Sequence, residues 1–211
     1  MRKIIATTFV SIDGVMQAPG GPTEDSSGGF QLGGWQAPHF DEALGTALGD
    51  VFSRPFDLLL GRKTYDIFAA YWPFVGKDDP LGTVFDRITK YVATRTPDRT
   101  LSWQNSQTLG ADIVATLQQL KRSEGTDILV QGSSDLLQTL LANGLVDEFT
   151  LVVVPVVLGK GKRLFGDGAQ PVGMKLVSSQ ATPAGVIVAK YRLDGAVKIG
   201  DFSLENPTEA A

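Results

Sequence analysis

The chain has 211 residues, enough for one domain with a full hydrophobic core, and its 43% hydrophobic and 20% charged content is that of a globular protein. A net charge of −4 excludes the basic surface that nucleic-acid binding needs. With no cysteine and one histidine, His39, the composition excludes disulfides, thiolate nucleophiles, Cys-ligated zinc and His-rich metal sites, and any Ser-His-Asp triad would have to run through His39.

Residues 3–10 read as a buried first strand. The apolar run is short and broken by Ser11 and Asp13, unlike a signal peptide. No stretch approaches the roughly 18 apolar residues of a membrane span, and the cytoplasm is the expected compartment. Residues 14–37 are rich in Gly, Pro, Ser and Gln and lack periodicity, which suits either a lid over a site or a disordered insertion. Trp35 favours the lid, because a large aromatic packs against something.

Residues 38–52 predict a helix with Phe40, Ala43, Leu44, Ala47, Leu48, Val51 and Phe52 near one face. Residues 56–60 predict a strand and 64–70 a short helix, ended by Trp72-Pro73. A strand over 91–94 runs into the polar turn 95–99. Residues 112–122 predict an amphipathic helix capped by Asp112, with Ile113, Leu117 and Leu120 inward. A strand over 128–130 and a helix over 134–142 follow. The unbroken apolar run 149–158 predicts a long strand buried on both faces. Residues 174–179 and 186–191 predict an antiparallel pair, and the tail 199–211 is polar. Alternating strands and helices followed by strand after strand give an α/β fold. It is a three-layer α-β-α sandwich on a mixed, mainly parallel sheet with antiparallel C-terminal edge strands, in one domain spanning 1–211.

Ligands of open α/β sheets sit beyond the carboxyl ends of the strands, and three polar turns are predicted there. In the first, Gly61 permits close backbone approach, Thr64 can cap the helix, and Arg62 and Lys63 bring charge; the turn suits a phosphate or a plain N-cap. Thr94-Arg95-Thr96 suits a phosphomonoester or an ordinary exposed turn. Gly132-Ser133-Ser134, with Asp135 near the helix start, offers a third anion site. Three such turns on one edge suggest an extended ligand with several phosphates, such as a dinucleotide with a ribose phosphate. Asp13 could orient a substrate or relay a proton, or be half of an Asp-Gly turn. His39 suits a cap or surface position better than catalysis. Asp41 and Glu42 open a helix, where a carboxylate caps, although one could face the cleft. Trp72 and Trp103 suit packing.

The order and spacing of Ser11-Ile-Asp-Gly14, Gly61-Arg-Lys-Thr-Tyr65, Val92-Ala-Thr-Arg95, Ile128-Leu-Val-Gln-Gly-Ser133, Gly144-Leu-Val-Asp-Glu148 and Pro155-Val-Val-Leu-Gly-Lys-Gly-Lys-Arg-Leu-Phe165 resemble the dihydrofolate-reductase-like superfamily. More narrowly, residues 3 to 193 resemble stand-alone relatives of the C-terminal reductase domain of riboflavin biosynthesis. The resemblance implies an NADPH-dependent reductase acting on a small substrate of the ribosylaminouracil phosphate type, with dihydrofolate reduction or nucleotide binding without turnover as alternatives. It implies that the 61–64 and 132–135 turns hold the pyrophosphate, that Arg62, Arg95 and Thr96 lie about the ribose phosphate, and that Thr94 belongs to the cofactor site. It further implies that Thr8, Phe9, Met16 and Gln17 line the nicotinamide under a mobile 17–37 lid. Trp35, Phe40, Asp41 and Glu42 fall at the substrate end, and Asp13 and Gln131 are the candidate catalytic groups. A homodimer through the late strands and the Gly159–Phe165 loop is also implied. Three departures stand out. Gly132-Ser133 replaces a frequent Gly-Gly pair with a cis peptide, and a cis bond before serine costs about 3 kcal/mol. Gln131 replaces a substrate-facing Glu of the riboflavin-type enzymes and cannot ionise. The zinc deaminase domain often fused to such reductases is not expected.

Overall fold

Ile4, Ala6 and Val10 pack to one side of the first strand while Ile5 and Phe9 pack to the other. A strand apolar on both faces belongs at the middle of a sheet. The computed structural model describes residues 1–76, 78–166 and 169–201. In chain order the elements are β1 (Ile4–Ser11), α1 (Glu42–Phe52), β2 (Phe56–Gly61), α2 (Arg62–Tyr71), α3 (Pro80–Arg87), β3 (Lys90–Ala93), β4 (Ser106–Thr108), α4 (Ile113–Arg122), β5 (Asp127–Gln131), α5 (Ser134–Ala142), β6 (Glu148–Val154), β7 (Met174–Ala181) and β8 (Ile187–Leu193). They form one eight-stranded sheet in the order β4-β3-β2-β5-β1-β6-β8-β7. The first six strands of that order pair in parallel; β8 runs antiparallel to β6, and β7 antiparallel to β8.

Helices cover both faces, as expected. On one, Leu117 of α4 and Leu136, Leu137 and Leu140 of α5 pack on Ile4, Ala6, Ile128 and Val130. On the other, Leu44 and Ala47 of α1 pack on Val152 and Val188, while Tyr65 of α2 and Phe85 of α3 pack on Leu58 and Leu60. Trp103 is 3% exposed within this second layer, a packing residue as expected.

Several boundaries differ from expectation for identifiable reasons. The helix expected from Pro38 starts only at Glu42, because the Asp41 carboxylate accepts the Leu44 N–H at 2.7 Å and fixes the start there. Residues 37–39 form a separate 3₁₀ turn, and Phe40, expected to face inward, is 56% exposed. Helix α2 starts at Arg62, so Thr64 sits inside its first turn instead of capping it. Strand β6 ends at Val154 because Pro155 has no N–H to extend the ladder. Helix α3 and strand β4 have no counterpart in the sequence reading. The tail beyond Asp201 lies outside the described residues.

Two buried cations brace the sheet. Arg2, 4% exposed, donates to the Thr126 carbonyl, to the Tyr91 hydroxyl and to the Asp57 carboxylate. Lys90 is fully buried; its ammonium donates to the carbonyls of Phe85 and Ile88 and lies 4.2 Å from the Trp103 ring. It satisfies carbonyls at the end of α3 that the helix leaves open. Burial pushes its pKa down to about 8, against the opposing pull of Asp86. Removing one member of a buried pair strands the other. Arg2→Met is therefore expected to lower unfolding free energy by about 3 kcal/mol in urea. Lys3→Met, which breaks an exposed pair with Glu148, is expected to lower it by less than about 1 kcal/mol.

Candidate functional site

The carboxyl ends of β1, β2, β3 and β5 open onto a cleft of about 710 Å³. Because β2 and β5 are parallel neighbours, the turns that follow them lie side by side. The Gly61 N–H donates to Ser133 Oγ at 2.7 Å, and that hydroxyl donates to Thr64 Oγ1 at 2.6 Å. A Cβ at position 61 would come within 2.6 Å of Ser133 Oγ and 2.7 Å of its Cβ, so this approach requires glycine. On the other turn, Gly132 and Ser133 are consecutive left-handed residues with φ of 64° and 67°. The described residues contain no cis peptide, so the chain turns here by two left-handed residues instead. Left-handed serine is disfavoured by its Cβ, and here the hydroxyl bridge holds it.

Helix starts divide into two kinds. Asp41, Asp79 and Asp112 cap α1, α3 and α4 with their carboxylates. Neither α2 nor α5 has a side-chain cap. Their first-turn N–H groups and positive dipole ends converge on the cleft, where an anion is the complementary guest.

Five cations reach the same cleft, at Arg62, Lys63, Arg95, Arg99 and Lys162. Arg62 is paired with Asp66 one turn along α2 at 2.9 Å. Lys63 and Lys162 both bind Asp25, at 2.7 and 2.9 Å. Among the described residues Arg95 and Arg99 have no acidic partner. They are exposed beside the Thr94 and Thr96 hydroxyls, which lie 3.1 Å apart.

Residues of the 14–37 segment line the cleft and are tied down by side-chain hydrogen bonds. Gln17 gathers this strap: its amide nitrogen donates to the carbonyls of Asp25 and Ser27, and its amide oxygen accepts the Lys162 N–H at 3.0 Å. Trp35 is 8% exposed and donates from its indole to the Gln17 carbonyl at 2.7 Å. Burial pushes the Asp25 carboxyl up, but the bonds from Lys63, Ser27 and Lys162 outweigh it and hold the pKa well below the usual range. The strap is thereby latched at its middle to α2 and to the 159–163 loop.

The structure brings Thr8, Phe9, Met16, Gln17, the 61–64, 94–96 and 132–135 turns and Gln131 together around this one cleft. Five other predicted site residues lie elsewhere. Asp13 accepts from the Ser11 hydroxyl at 2.6 Å and from the N–H groups of Leu158 and Gly159, and its backbone carbonyl accepts from Arg163. Its carboxyl ties the end of β1 to the loop after β6. Trp35 is turned into the core against α1, so it neither lines nor plugs the cleft. Phe40 lies on the surface over Gly45. Asp41 is occupied by the N–H groups of Leu44 and Ala184, which lower its pKa. Glu42 is exposed, and neither acid lines the cleft. Sequence reasoning missed Thr7, Asp25, Gln36, Arg99 and Lys162, which do line it. Their only sequence signal was polar identity, Thr7 inside the first strand and the others in the strap and the loops after strands.

The chain matches the family model described as the RibD C-terminal domain over residues 2–188. It is 30% identical over 199 residues to the uncharacterized protein YyaP of Bacillus subtilis (strain 168), covering 92% of this chain and 96% of that one. Two solved structures share the fold. A pyrimidine reductase-like protein from Corynebacterium diphtheriae superposes with a TM-score of 0.59 at 14% identity, over 92% of both chains. Dihydrofolate reductase from Enterococcus faecalis, solved with NADP(H) and RAB-propyl, gives 0.56 at 14% identity over 91% of this chain and 96% of that one.

Two outcomes test this geometry. Gly61→Ala is expected to destabilise by about 1–3 kcal/mol through overpacking, and Gly61→Ala combined with Ser133→Gly is expected to recover most of it in thermal unfolding. The Ser11 hydroxyl and the Leu158 N–H, ahead of Gly159, lower the Asp13 pKa to about 2. Its contribution is therefore fully present above the ordinary carboxyl value of about 4 and lost as pH falls toward about 2. Asp13→Asn is expected to flatten acid unfolding in that window.

Proposed function

The chain belongs to the RibD C-terminal domain family, and on that premise we propose that it is an NADPH-dependent reductase of the cytoplasm. Its reaction delivers a hydride to the C=N or C=O carbon of a small heterocyclic or sugar-imine substrate. One observation carries the cofactor assignment: α2 and α5, the helices without a side-chain cap, begin side by side at the cleft. A pyrophosphate would complete both starts, and the missing Cβ of Gly61 keeps the backbone close enough to share one ligand. Arg95 and Arg99, with Thr94 and Thr96, suit a ribose phosphate monoester, which distinguishes NADPH from NADH.

When bound, the reduced nicotinamide supplies the hydride. The chain's own residues hold and orient. Thr8, Phe9, Met16 and Gln17 wall the nicotinamide end. The strap, latched through Asp25, shields the cleft from water, and catalysis rests on positioning. A folate-type mechanism using an acid of α1 is disfavoured, because Asp41 and Glu42 lie outside the cleft. A homodimer is supported by the exposed apolar Leu176 and Val177 on the edge strand β7.

Titration followed by nicotinamide fluorescence tests the cofactor. NADPH is expected to bind about 10- to 100-fold more tightly than NADH, the worth of a charge-assisted bond to phosphate. Arg95→Ala and Arg99→Ala are each expected to erode that difference while leaving NADH affinity unchanged. Absence of binding by either nucleotide would remove the reductase reading.

A further inference from the structure

Thr7 sits between Ile5 and Phe9 on the face of β1 that packs toward α1 and α2, since alternate residues share a face. Its register partners are Gln131 on β5 and Thr150 on β6. Leu129 and Val152, two residues away on those strands, pack in the same layer. A polar row thus crosses the three central strands inside an apolar layer, with Thr7 at 3% and Thr150 at 4% exposure. Gln36, 8% exposed, joins from the strap just before α1. Among the described residues, five buried side-chain polar atoms lack a hydrogen-bond partner, and three of them belong to Thr7, Gln36 and Gln131. All three residues line the cleft. A buried polar atom left unpaired destabilises the fold. Three such atoms in one cleft are groups waiting for a ligand.

Their chemistry defines that ligand. Two amide nitrogens and one hydroxyl can donate to carbonyl oxygens or ring nitrogens, and none of them carries charge. Phe9 and Phe68 line the same cleft and add apolar surface to its wall. Among the described residues the cleft has no spare cation for a second anion: Arg62 is held by Asp66, and Lys63 and Lys162 are held by Asp25. Arg95 and Arg99 stand at the β3 turn, where the ribose phosphate takes them. We propose that Thr7, Gln36 and Gln131 form a neutral subsite for the carbonyl edge of a flat, uncharged substrate, a cyclic amide, imide or quinone, and that this substrate carries no phosphate. The subsite rests on the reductase reading and narrows it away from phosphorylated sugars.

Saturation-transfer NMR on the NADP⁺-loaded protein tests the subsite with two probes, 2-pyridone as a flat neutral lactam and ribose 5-phosphate as the anion. Wild type is expected to transfer saturation to 2-pyridone. Gln131→Leu and Thr7→Val are expected to weaken its binding by about fivefold or more, the loss of one hydrogen bond. Ribose 5-phosphate is expected to give no signal. Thr7→Val is also expected to raise the Tm of the free protein by about 2–4 °C, because it removes an unpaired hydroxyl; a purely structural threonine would lower it. The subsite is overturned by a lower Tm in Thr7→Val or by 2-pyridone signals that are absent or equal in all three proteins. Ribose 5-phosphate displacing 2-pyridone overturns it equally. Signals from the NADP⁺ adenine protons in the same samples report the cofactor separately. Their absence, with 2-pyridone still bound to the free protein, overturns the reductase reading and leaves the subsite standing.

Discussion

The contact between Gly61 and Ser133 sets the geometry on which the site depends. Two parallel neighbours, β2 and β5, each turn at once into a helix, and the Ser133 hydroxyl ties those turns together. A side chain at 61 would push them apart, and a right-handed Ser133 would aim its hydroxyl elsewhere. Held this way, α2 and α5 present their positive ends to one small volume. Dipole effects fade within the first turn, so only close starts can act on the same guest. The meeting of these two helix starts at the cleft is therefore a consequence of strand order and one missing Cβ.

Charge is distributed around those helix starts. The chain is net negative, yet two of the acids at the cleft are spent locally. Asp66 occupies Arg62, and Asp25 occupies Lys63 and Lys162 while latching the strap. What remains are two helix starts without a side-chain cap in the middle, the second with Asp135 in its first turn, and two guanidinium groups at the β3 end. Such a pattern matches a ligand with a diphosphate centre and a separate monoester better than it matches a single free phosphate.

Much of this was legible in the sequence, because it is local. The strand-turn-helix motifs at 61–64, 94–96 and 132–135 announce themselves by small residues at the end of an apolar run, and the sheet places them together once β2, β3 and β5 are parallel. The antiparallel edge followed from two consecutive strands without a helix between. What escaped was set by distant contacts. Asp25 is one of several polar residues in an aperiodic loop until Lys63 and Lys162 fold onto it. Strand β4 has three residues, too few for a period, and α3 is recognisable chiefly by Asp79-Pro80, a cap followed by proline. Trp35 looked like a ligand wall because aromatic residues in lids often are; its indole instead nails the strap to the core.

The acids carry a more general lesson. Asp13 and Asp41 stand where ends of elements need an acceptor, and both are consumed by backbone N–H groups. A carboxylate at a strand end or helix start is capping by default, because the orphan donors there must find a partner. The residues held against stability are of another kind. Left-handed Ser133, the uncapped starts of α2 and α5, and the unpaired Thr7, Gln36 and Gln131 each weaken the free fold, and all of them converge on one cleft. Unpaired Ser106 and Thr182 and left-handed Asn105 lie elsewhere, but such departures gather at this one cleft, and a cluster of disagreements is where a protein keeps its function.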